Sequence, residues 1–500
     1  MKKIGKIGLL AVLIWGLWLG AGMETEAEEL AGTFTKEGGS HLSKLSDDDY
    51  NTTEKLTSKE VLSVSAKEGE SISGLYILWD SPVKEWILET AEGEETWGKS
   101  GFLHEYVPLS TPQTQVKIRI PQGTMRISEI KVLGEGELPS WVQVWQPPCE
   151  KADIMLIPSH ADDEILFFGG IMPTYHTGQG AAVQVVYMTE FWTTTPIREH
   201  EKLDGLWASG LDIYPVCGNF KDVYSKTLEK AKTQYSEEEM VDYLTEQIRR
   251  FKPQVVVTHD FKGEYGHGFH MLTCEATVQA VEAAALQERQ PSSAETYGVW
   301  DVPKTYIHLY KENAIRLDLR IPMEEFGGMT ALEVATEAYK KHVSQQWCWF
   351  YVSDDYEYSC ADFGLYRTTV GTDTNNSMLD NIITYAEQER IAAEKAEAER
   401  MAAQEEARRQ AEEEAKRLEE EKRLAEEKAA AKKAEEERLA AEEAARLLAQ
   451  EEALLKAERN RKMILALCVL AGVLFTVIII FFLRLRLKRI RNRKRRKGHK

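Results

Sequence analysis

Residues 153–164 read DIMLIPSHADDE, and residues 254–270 read QVVVTHDFKGEYGHGFH. In each stretch a short apolar run is followed at once by polar and ionisable residues. Such apolar runs are typical of strands that are buried on both faces of a parallel sheet. Ligands of these sheets bind beyond the carboxyl ends of the strands, so we expect both polar groups to lie at one edge of one sheet.

The segments around these two runs alternate between helix and strand patterns. Helical patterns cover residues 165–176, 237–251 and 270–285, and a further strand pattern covers residues 182–189. This alternation predicts an α/β fold over residues 150–380, with a Rossmann-like parallel sheet and helices on both of its faces.

A different pattern precedes this region. Residues 31–140 contain short runs of β-forming residues separated by Gly, Pro and polar positions, which predicts a β-sandwich. Its Trp-rich middle resembles the galactose-binding-like jelly rolls, which leaves a carbohydrate-binding role open. Trp79, Trp86 and Trp97 can stack on a sugar ring if they are exposed, but a tryptophan in a small sandwich lies more often in the core.

Residues 384–462 contain no Gly and no Pro and are rich in Ala, Glu, Lys and Arg. This composition predicts a long charged helix or a coiled-coil stalk, through which the chain would self-associate. A disordered charged linker is the alternative interpretation.

The two ends of the chain predict export and anchoring. Residues 1–27 contain lysines followed by an apolar run, as in a secretory signal peptide, with an uncleaved anchor as the alternative. Residues 463–483 carry no charge and are long enough for a transmembrane helix. The basic tail that follows, residues 484–500, belongs on the cytoplasmic side. We therefore expect a single-pass protein of the cell membrane whose α/β region is extracellular.

Charge and cysteine content exclude other classes of protein. The formal net charge is −19, and leaving out the three lysines before Ile7 and the eleven basic residues after Leu483 gives −33 for the remainder. So acidic an exterior disfavours a nucleic acid partner. The six cysteines show no CxxC spacing, which argues against a disulfide scaffold and against a cysteine-based zinc site.

The polar groups after the two strands contain the side chains of a hydrolytic metal site. His160 and Asp163 are three residues apart, and so are His267 and His270, so each pair can point to one place. One histidine of the second pair can complete a set of two histidines and one aspartate, while the other stands beside it. Three protein ligands with one open position are typical of catalytic zinc, and Asp162 is placed to take a proton from water.

With its two motifs PSHADDE and GEYGHGFH, the chain resembles the PIG-L, or LmbE-like, N-acetylglucosaminyl deacetylases. The resemblance implies that His160, Asp163 and His270 bind Zn²⁺ and that Asp162 is the general base. It also implies that His267 stabilises the oxyanion and that Tyr265 contacts the substrate carbonyl. By the same resemblance, the substrate-side pair would be Arg198 and Glu201.

The chain departs from the family pattern at two positions: Ala161 replaces the usual proline, and Phe269 replaces the usual acid before the last histidine. Neither residue is a metal ligand, so we expect metal binding to survive. The missing acid would orient the imidazole of His270, and losing such a partner typically costs about tenfold or more in affinity or activity. Asp260 and Glu264 are the candidates to replace it.

These patterns predict a cell-surface, zinc-dependent deacetylase that hydrolyses the N-acetyl group of an N-acetylglucosamine-type sugar in a glycan or glycoconjugate. Two other functions stay open. One is a catalytically silent surface scaffold that binds glycans, and the other is an amidase that acts on another small N-acyl substrate.

Overall fold

The computed structural model describes residues 25–439, 455–476 and 479 of the chain. The chain divides into two compact units, with the boundary after Tyr385. Nearly all of the predicted signal peptide, residues 1–27, lies outside the described residues, and so does the whole basic tail, residues 484–500.

The first unit begins with an antiparallel β-sandwich, as predicted. Its strands are β1 (Glu29–Leu30), β2 (Thr33–Lys36), β3 (Glu54–Thr57), β4 (Leu62–Ser65), β5 (Ile72–Trp79), β6 (Trp86–Thr90), β7 (Gly93–Trp97), β8 (His104–Gln113), β9 (Gln115–Arg119) and β10 (Thr124–Leu133). One sheet has the order β1-β10-β5-β8, with β3 also paired to β10, and the other has the order β2-β4-β9-β6-β7.

The tryptophans of the sandwich lie in its core. Trp79, Trp86 and Trp97 are only 1%, 0% and 6% exposed. The indole nitrogens of Trp79 and Trp86 both donate to the buried carboxylate of Glu105, at 2.9 and 2.8 Å. A buried indole needs such an acceptor, so these side chains are structural and offer no exposed face to a sugar.

The α/β region contains a seven-stranded sheet. Its strands are β11 (Ile154–Ile157), β12 (Val183–Thr189), β13 (Val216–Phe220), β14 (Val255–Thr258), β15 (Lys304–His308), β16 (Ala314–Arg316) and β17 (Asp362–Thr368), in the order β13-β12-β11-β14-β15-β17-β16. The first five of these strands are parallel to one another.

The predicted all-parallel sheet is wrong at β17, which pairs antiparallel with both β15 and β16. The reason lies in the segment before it. Just before β17 the chain lies at the edge where β15 ends, since the backbone carbonyl of Ser359 accepts a hydrogen bond from Nε2 of His308 at 2.8 Å. β17 therefore starts at that edge and has to run back along β15.

The helices of the first unit surround this sheet. They are α1 (Asp163–Leu166), α2 (Ile197–Ala208), α3 (Leu228–Gln234), α4 (Glu237–Phe251), α5 (Gly268–Ala284), α6 (Pro291–Tyr297) and α7 (Ala331–Tyr339). The helices predicted over residues 237–251 and 270–285 are confirmed as α4 and α5.

The helix predicted over residues 165–176 is wrong, because α1 ends at Leu166 and a π-helix follows at Met172–Thr177. The interruption falls at Gly169 and Gly170. A Cβ added to Gly169 would lie 2.4 Å from the carbonyl oxygen of Ile165, and one added to Gly170 would lie 2.4 Å from the side chain of Leu319. This close packing requires glycine and replaces the regular helix.

The second unit contains most of α8 (Tyr385–Leu439), a helix of 55 residues. At about 1.5 Å per residue it is roughly 80 Å long. Ion pairs such as Arg390–Glu387 and Arg408–Glu405 line it at i,i+3 spacing. The predicted stalk also includes residues 440–454, which lie outside the described part of the chain.

Residues 455–476 are also helical. Within the residues that the structure describes, no helix reaches both the length and the hydropathy that a bilayer crossing requires. The predicted span, residues 463–483, is only partly described, since positions 477, 478 and 480–483 lie outside.

Candidate metal centre

The two motifs meet at the middle of the seven-stranded sheet. β11 and β14 are parallel neighbours, with Ile157 opposite Thr258 at their carboxyl ends. From β11 the chain continues to β12 on one side and later returns to β14 on the other, so the sheet changes direction of growth between these two strands. Open α/β sheets bind their ligands at such a switch point.

Four buried atoms converge there: one ring nitrogen each of His160 and His270, and both carboxylate oxygens of Asp163. Nδ1 of His160 lies 3.1 Å from the Asp163 carboxylate and 3.2 Å from Nε2 of His270, and Nε2 of His270 lies 3.3 Å from the other Asp163 oxygen. Ligands about 2.0–2.1 Å from a tetrahedral zinc ion are separated by about 3.3 Å, so the three spacings fit a shared Zn²⁺. All three side chains are buried.

Glu264 sets the orientation of His270. Its Oε2 atom accepts a hydrogen bond from Nδ1 of His270 at 2.7 Å, which turns Nε2 of that ring toward His160, 3.2 Å away. Burial lowers the pKa of His270, but Asp163 and Glu264 outweigh it and raise this pKa to about 10. The negative charge of Asp163 and Glu264, which holds this proton, also attracts a metal cation. This supports a metal ion at this position.

Glu264 itself is fully buried among three imidazoles. Besides His270 it accepts from Nδ1 of His259 at 2.8 Å and from Nδ1 of His308 at 2.6 Å. Although burial opposes ionisation, His259 and these hydrogen bonds hold the pKa of Glu264 well below its usual range. The carboxylate is therefore charged, and it supports the candidate metal centre by hydrogen bonding to the imidazole of His270.

A second set of possible ligands, Asp163, His259 and His270, overlaps with the first. In that set Nε2 of His259 already accepts a hydrogen bond from the backbone N–H of Ser159 at 2.9 Å, while its Nδ1 donates to Glu264. With both ring nitrogens engaged, His259 fits a supporting role better than that of a ligand.

His267 also lies close enough to His160 and His270 to join them as a ligand. Its Nδ1, however, accepts the backbone N–H of Phe269 at 3.2 Å as the N-cap of α5. Burial, followed by the neighbouring His270 and His160, lowers the pKa of His267 well below its usual range. The neutral ring therefore carries its proton on Nε2, an arrangement that suits a hydrogen-bond donor better than a metal ligand.

Asp162 lies beside the convergence point in a strained conformation. Its φ angle is 107°, a region that favours glycine, and its backbone N–H donates to Glu164 at 2.8 Å. Burial raises the pKa of Asp162 to about 7, against the opposing effect of Arg198. A carboxylate with this pKa can take up and release a proton near neutrality.

The structure brings Arg198 to the site but not Glu201. The Arg198 guanidinium lies 3.3 Å from Asp162 and 3.0 Å from Asp222, and it also donates to the carbonyl of Ala161. Glu201 is buried, and its two oxygens accept from the backbone N–H and the hydroxyl of Ser344 at 2.6 and 2.5 Å. Glu201 therefore anchors a loop.

Tyr265 stands at the entrance to the site. It has a left-handed backbone with φ of 49°, and its ring centroid lies 5.6 Å from that of His267 and 5.5 Å from that of His270. Burial, followed by Asp163 and Asp162, raises the pKa of Tyr265, so the phenol keeps its proton and can donate it in a hydrogen bond.

Sequence reasoning missed three polar residues, two at strand ends and one after a helix. Asp222 follows β13 and lies 3.5 Å from Nε2 of His160, and His308 ends β15. His342, from the segment after α7, lies 2.8 Å from Glu164. The rule that pointed to the two motifs applies to β13 and β15 as well, so it would have found the first two. No comparable signal marks His342.

The two departures from the family pattern have structural explanations. Ala161 is buried, and its carbonyl accepts from Arg198. Phe269 is also buried and stacks on Tyr235, with ring centroids 4.1 Å apart. Glu264 makes the hydrogen bond to His270 that we expected from an acid at residue 269.

Comparison with known proteins agrees with this geometry. Residues 155–281 match the profile of the PIG-L family, GlcNAc-PI de-N-acetylase. The 1D-myo-inositol 2-acetamido-2-deoxy-alpha-D-glucopyranoside deacetylase of Mycolicibacterium gilvum is 28% identical over 192 residues, which are 33% of this chain and 62% of that protein. The Kribbella flavida protein of the same name is 38% identical over 86 residues, which are 17% of this chain and 27% of that protein.

The chain thus spans less than two thirds of the length of these curated relatives. Among solved structures, N,N'-diacetylchitobiose deacetylase from Pyrococcus horikoshii aligns at 19% identity with a TM-score of 0.31, covering 40% of this chain and 72% of that one. Through residues 155–281, the chain belongs to the PIG-L, or LmbE-like, deacetylase family.

Proposed function

We propose that the protein is a zinc-dependent deacetylase that hydrolyses the N-acetyl group of an N-acetylglucosamine-type sugar in a glycan or glycoconjugate. The observation that carries this proposal is the convergence of His160, Asp163 and His270, with spacings of 3.1–3.3 Å between their ligand atoms. The relatives that match this segment are named as deacetylases of a 2-acetamido-2-deoxy-glucopyranoside.

The donor set suits zinc. Two imidazole nitrogens and one carboxylate form a three-ligand set that leaves a fourth position open. When bound there, Zn²⁺ acidifies a water molecule and polarises the amide carbonyl. The fully buried Glu264 orients His270, as outer carboxylates do in zinc sites.

Asp162 is the general base in this proposal. Its carboxylate accepts the proton of the attacking water and later passes it to the departing sugar amine. A pKa of about 7 suits both halves of this transfer. Arg198, 3.3 Å away, orients the carboxylate and limits how far burial raises its pKa.

His267 and Tyr265 act on the carbonyl oxygen. The Nε2–H group of the neutral His267 donates to this oxygen as negative charge develops on it, and the phenol of Tyr265 is a second donor on the entrance side. Donors fixed in advance stabilise such charge without reorganising. Both side chains are held by packing around His270.

The proposal includes a position at the cell surface. The apolar N-terminal run, the uncharged residues 463–483 and the basic tail support a single-pass membrane protein with its enzyme domain outside. The helix α8 would then hold that domain away from the membrane.

The test is acetate release from N-acetylglucosamine oligomers by the purified full-length protein, with bound zinc measured in the same samples. We expect release that Asp162→Ala abolishes while zinc stays bound. Zinc at one equivalent without acetate from these oligomers would contradict the sugar assignment and direct the search to other N-acyl substrates. A protein that binds no zinc would overturn the metal site itself.

A further inference from the structure

An unusual group of exposed aromatic side chains lies in the segment between α7 and β17. Trp347 is 81% exposed, Trp349 62% and Tyr351 52%, whereas Phe350 is half-buried and Val352 is buried. Soluble proteins seldom expose large aromatic side chains so close together unless the surface binds something.

This segment adjoins the candidate metal centre through a chain of ring contacts. The ring of Trp349 lies 4.2 Å from that of Phe350, which lies 4.4 Å from that of Tyr265. Tyr265 in turn lies 5.5 Å from His270. The exposed indole is therefore three ring contacts away from a predicted metal ligand.

The exposed aromatic residues are held on both sides by hydrogen bonds to other parts of the fold. Glu201 holds the backbone N–H and the hydroxyl of Ser344, and Arg320 forms two hydrogen bonds to Asp354 at 2.7 and 2.6 Å. A surface held in this way loses little conformational freedom when a ligand binds, so more of the contact energy contributes to affinity.

The chemistry of the segment fits sugar rings. Pyranose rings have apolar faces that stack on flat aromatic side chains, and their equatorial hydroxyls need hydrogen-bond acceptors around the rim. Asp355 and Glu357 supply exposed carboxylates among the aromatic residues. Those same charges would repel an anionic lipid surface.

We infer that this segment, residues 347–358, which we call the aromatic wall, binds the sugar rings next to the ring that carries the acetyl group, and that the substrate is therefore an oligomeric or polymeric glycan. The inference rests on the proposed function, since it extends the same site along the glycan chain. Trp349 is its central contact, because this side chain is both exposed and joined to Tyr265 through Phe350.

The test is a binding measurement that does not depend on turnover. Calorimetry on the zinc-loaded full-length protein compares tetra-N-acetylchitotetraose with free N-acetylglucosamine, for the wild type and for Trp349→Ala. We expect the variant to lose on the order of tenfold in tetrasaccharide affinity, which is the upper range for one aromatic contact, and to bind the monosaccharide as before. Trp141→Ala, which removes a 42% exposed tryptophan near the sandwich, is the matched control and should change neither affinity.

Several results would overturn the inference: no tetrasaccharide binding by the wild type, an equal loss for both sugars, or unchanged tetrasaccharide affinity in Trp349→Ala. A wild-type dimer in sedimentation that Trp349→Ala dissociates would assign the aromatic wall to a second copy of the chain. Acetate assays separate this inference from the proposed function. If the protein releases acetate and Trp349→Ala does not slow this release, the aromatic wall is rejected and the deacetylase function stands. If binding depends on Trp349 but no acetate is released, the deacetylase function is rejected and the aromatic wall stands.

Discussion

Glu264 accepts a hydrogen bond from Nδ1 of His270 at 2.7 Å, although the family pattern places the orienting acid at residue 269. Glu264 lies five residues before that position in the sequence. There the carboxylate also accepts from His259 and His308, so one acid orients three imidazoles.

Replacing this acid should weaken the metal site without removing a ligand. We expect Glu264→Gln to lower zinc affinity by about 10- to 100-fold, because His270 loses an anionic partner that fixes its ring and increases its basicity. Competition with a chromogenic chelator measures the affinity. Asp260→Asn is the matched control, since only the backbone N–H of Asp260 contacts Glu264. Equal zinc affinity in Glu264→Gln and the wild type would show that His270 needs no such partner.

Restoring the family's acid at residue 269 should harm the protein. Phe269 is fully buried against Tyr235, so Phe269→Asp removes an aromatic contact and buries a carboxylate. Loss of the ring alone typically costs about 3–5 kcal/mol in the free energy of unfolding. Urea denaturation of metal-free protein measures this loss, with Phe269→Leu as the milder comparison. A gain in zinc affinity in Phe269→Asp would mean that Glu264 does not fully replace the missing acid.

Glu201 should control the loop before the aromatic wall. Because its oxygens hold Ser344, we expect Glu201→Ala to speed amide hydrogen exchange around residue 344 while zinc content stays the same. Mass spectrometry of peptic fragments reads out both the place and the rate. Glu337→Ala, at an exposed position of α7, serves as the control. Zinc loss in Glu201→Ala would show that Glu201 supports the metal site rather than the loop.

Stability should depend on pH through Asp204, which lies between the sandwich and the α/β region. Tyr50 donates to it at 3.1 Å, and burial raises the pKa of Asp204 to about 6. The folded state therefore binds this proton more tightly than the unfolded chain, so stability falls as pH rises from about 4 to about 6. Melting temperatures at pH 4 and pH 7 should differ less in Asp204→Asn than in the wild type. An unchanged difference would contradict this role.

The local sequence predicted those parts of the fold that depend on local pattern. The helix α4 has the predicted bounds, and the strands β11 and β14 with their two polar motifs lie where alternation and the strand-end rule put them. The antiparallel β17 was not predictable in this way, because its direction depends on the contact of Ser359 with His308, between residues 51 positions apart.

The same distinction applies to the site. Motif spacing could propose His160, Asp163 and one histidine of the second motif, and the resemblance to the family selected His270. Motif spacing could not predict the roles of the remaining polar residues. Glu201 and Glu264 are both buried acids. Only their partners, Ser344 for the first and three imidazoles for the second, show that one anchors a loop and the other orients His270.

Substitutions at His267 and His270 should distinguish a hydrogen-bond donor from a metal ligand. Because Nδ1 of His267 accepts the Phe269 N–H, its Nε2–H points to the role of an oxyanion donor. His267→Asn keeps an acceptor for the N-cap but removes that donor. We expect kcat for acetate release to fall by about 10²–10³ while zinc stays bound, whereas His270→Asn should lose the zinc. If His267→Asn loses zinc and His160→Asn retains it, His267 is the ligand, and the set of His160, Asp163 and His270 is incorrect.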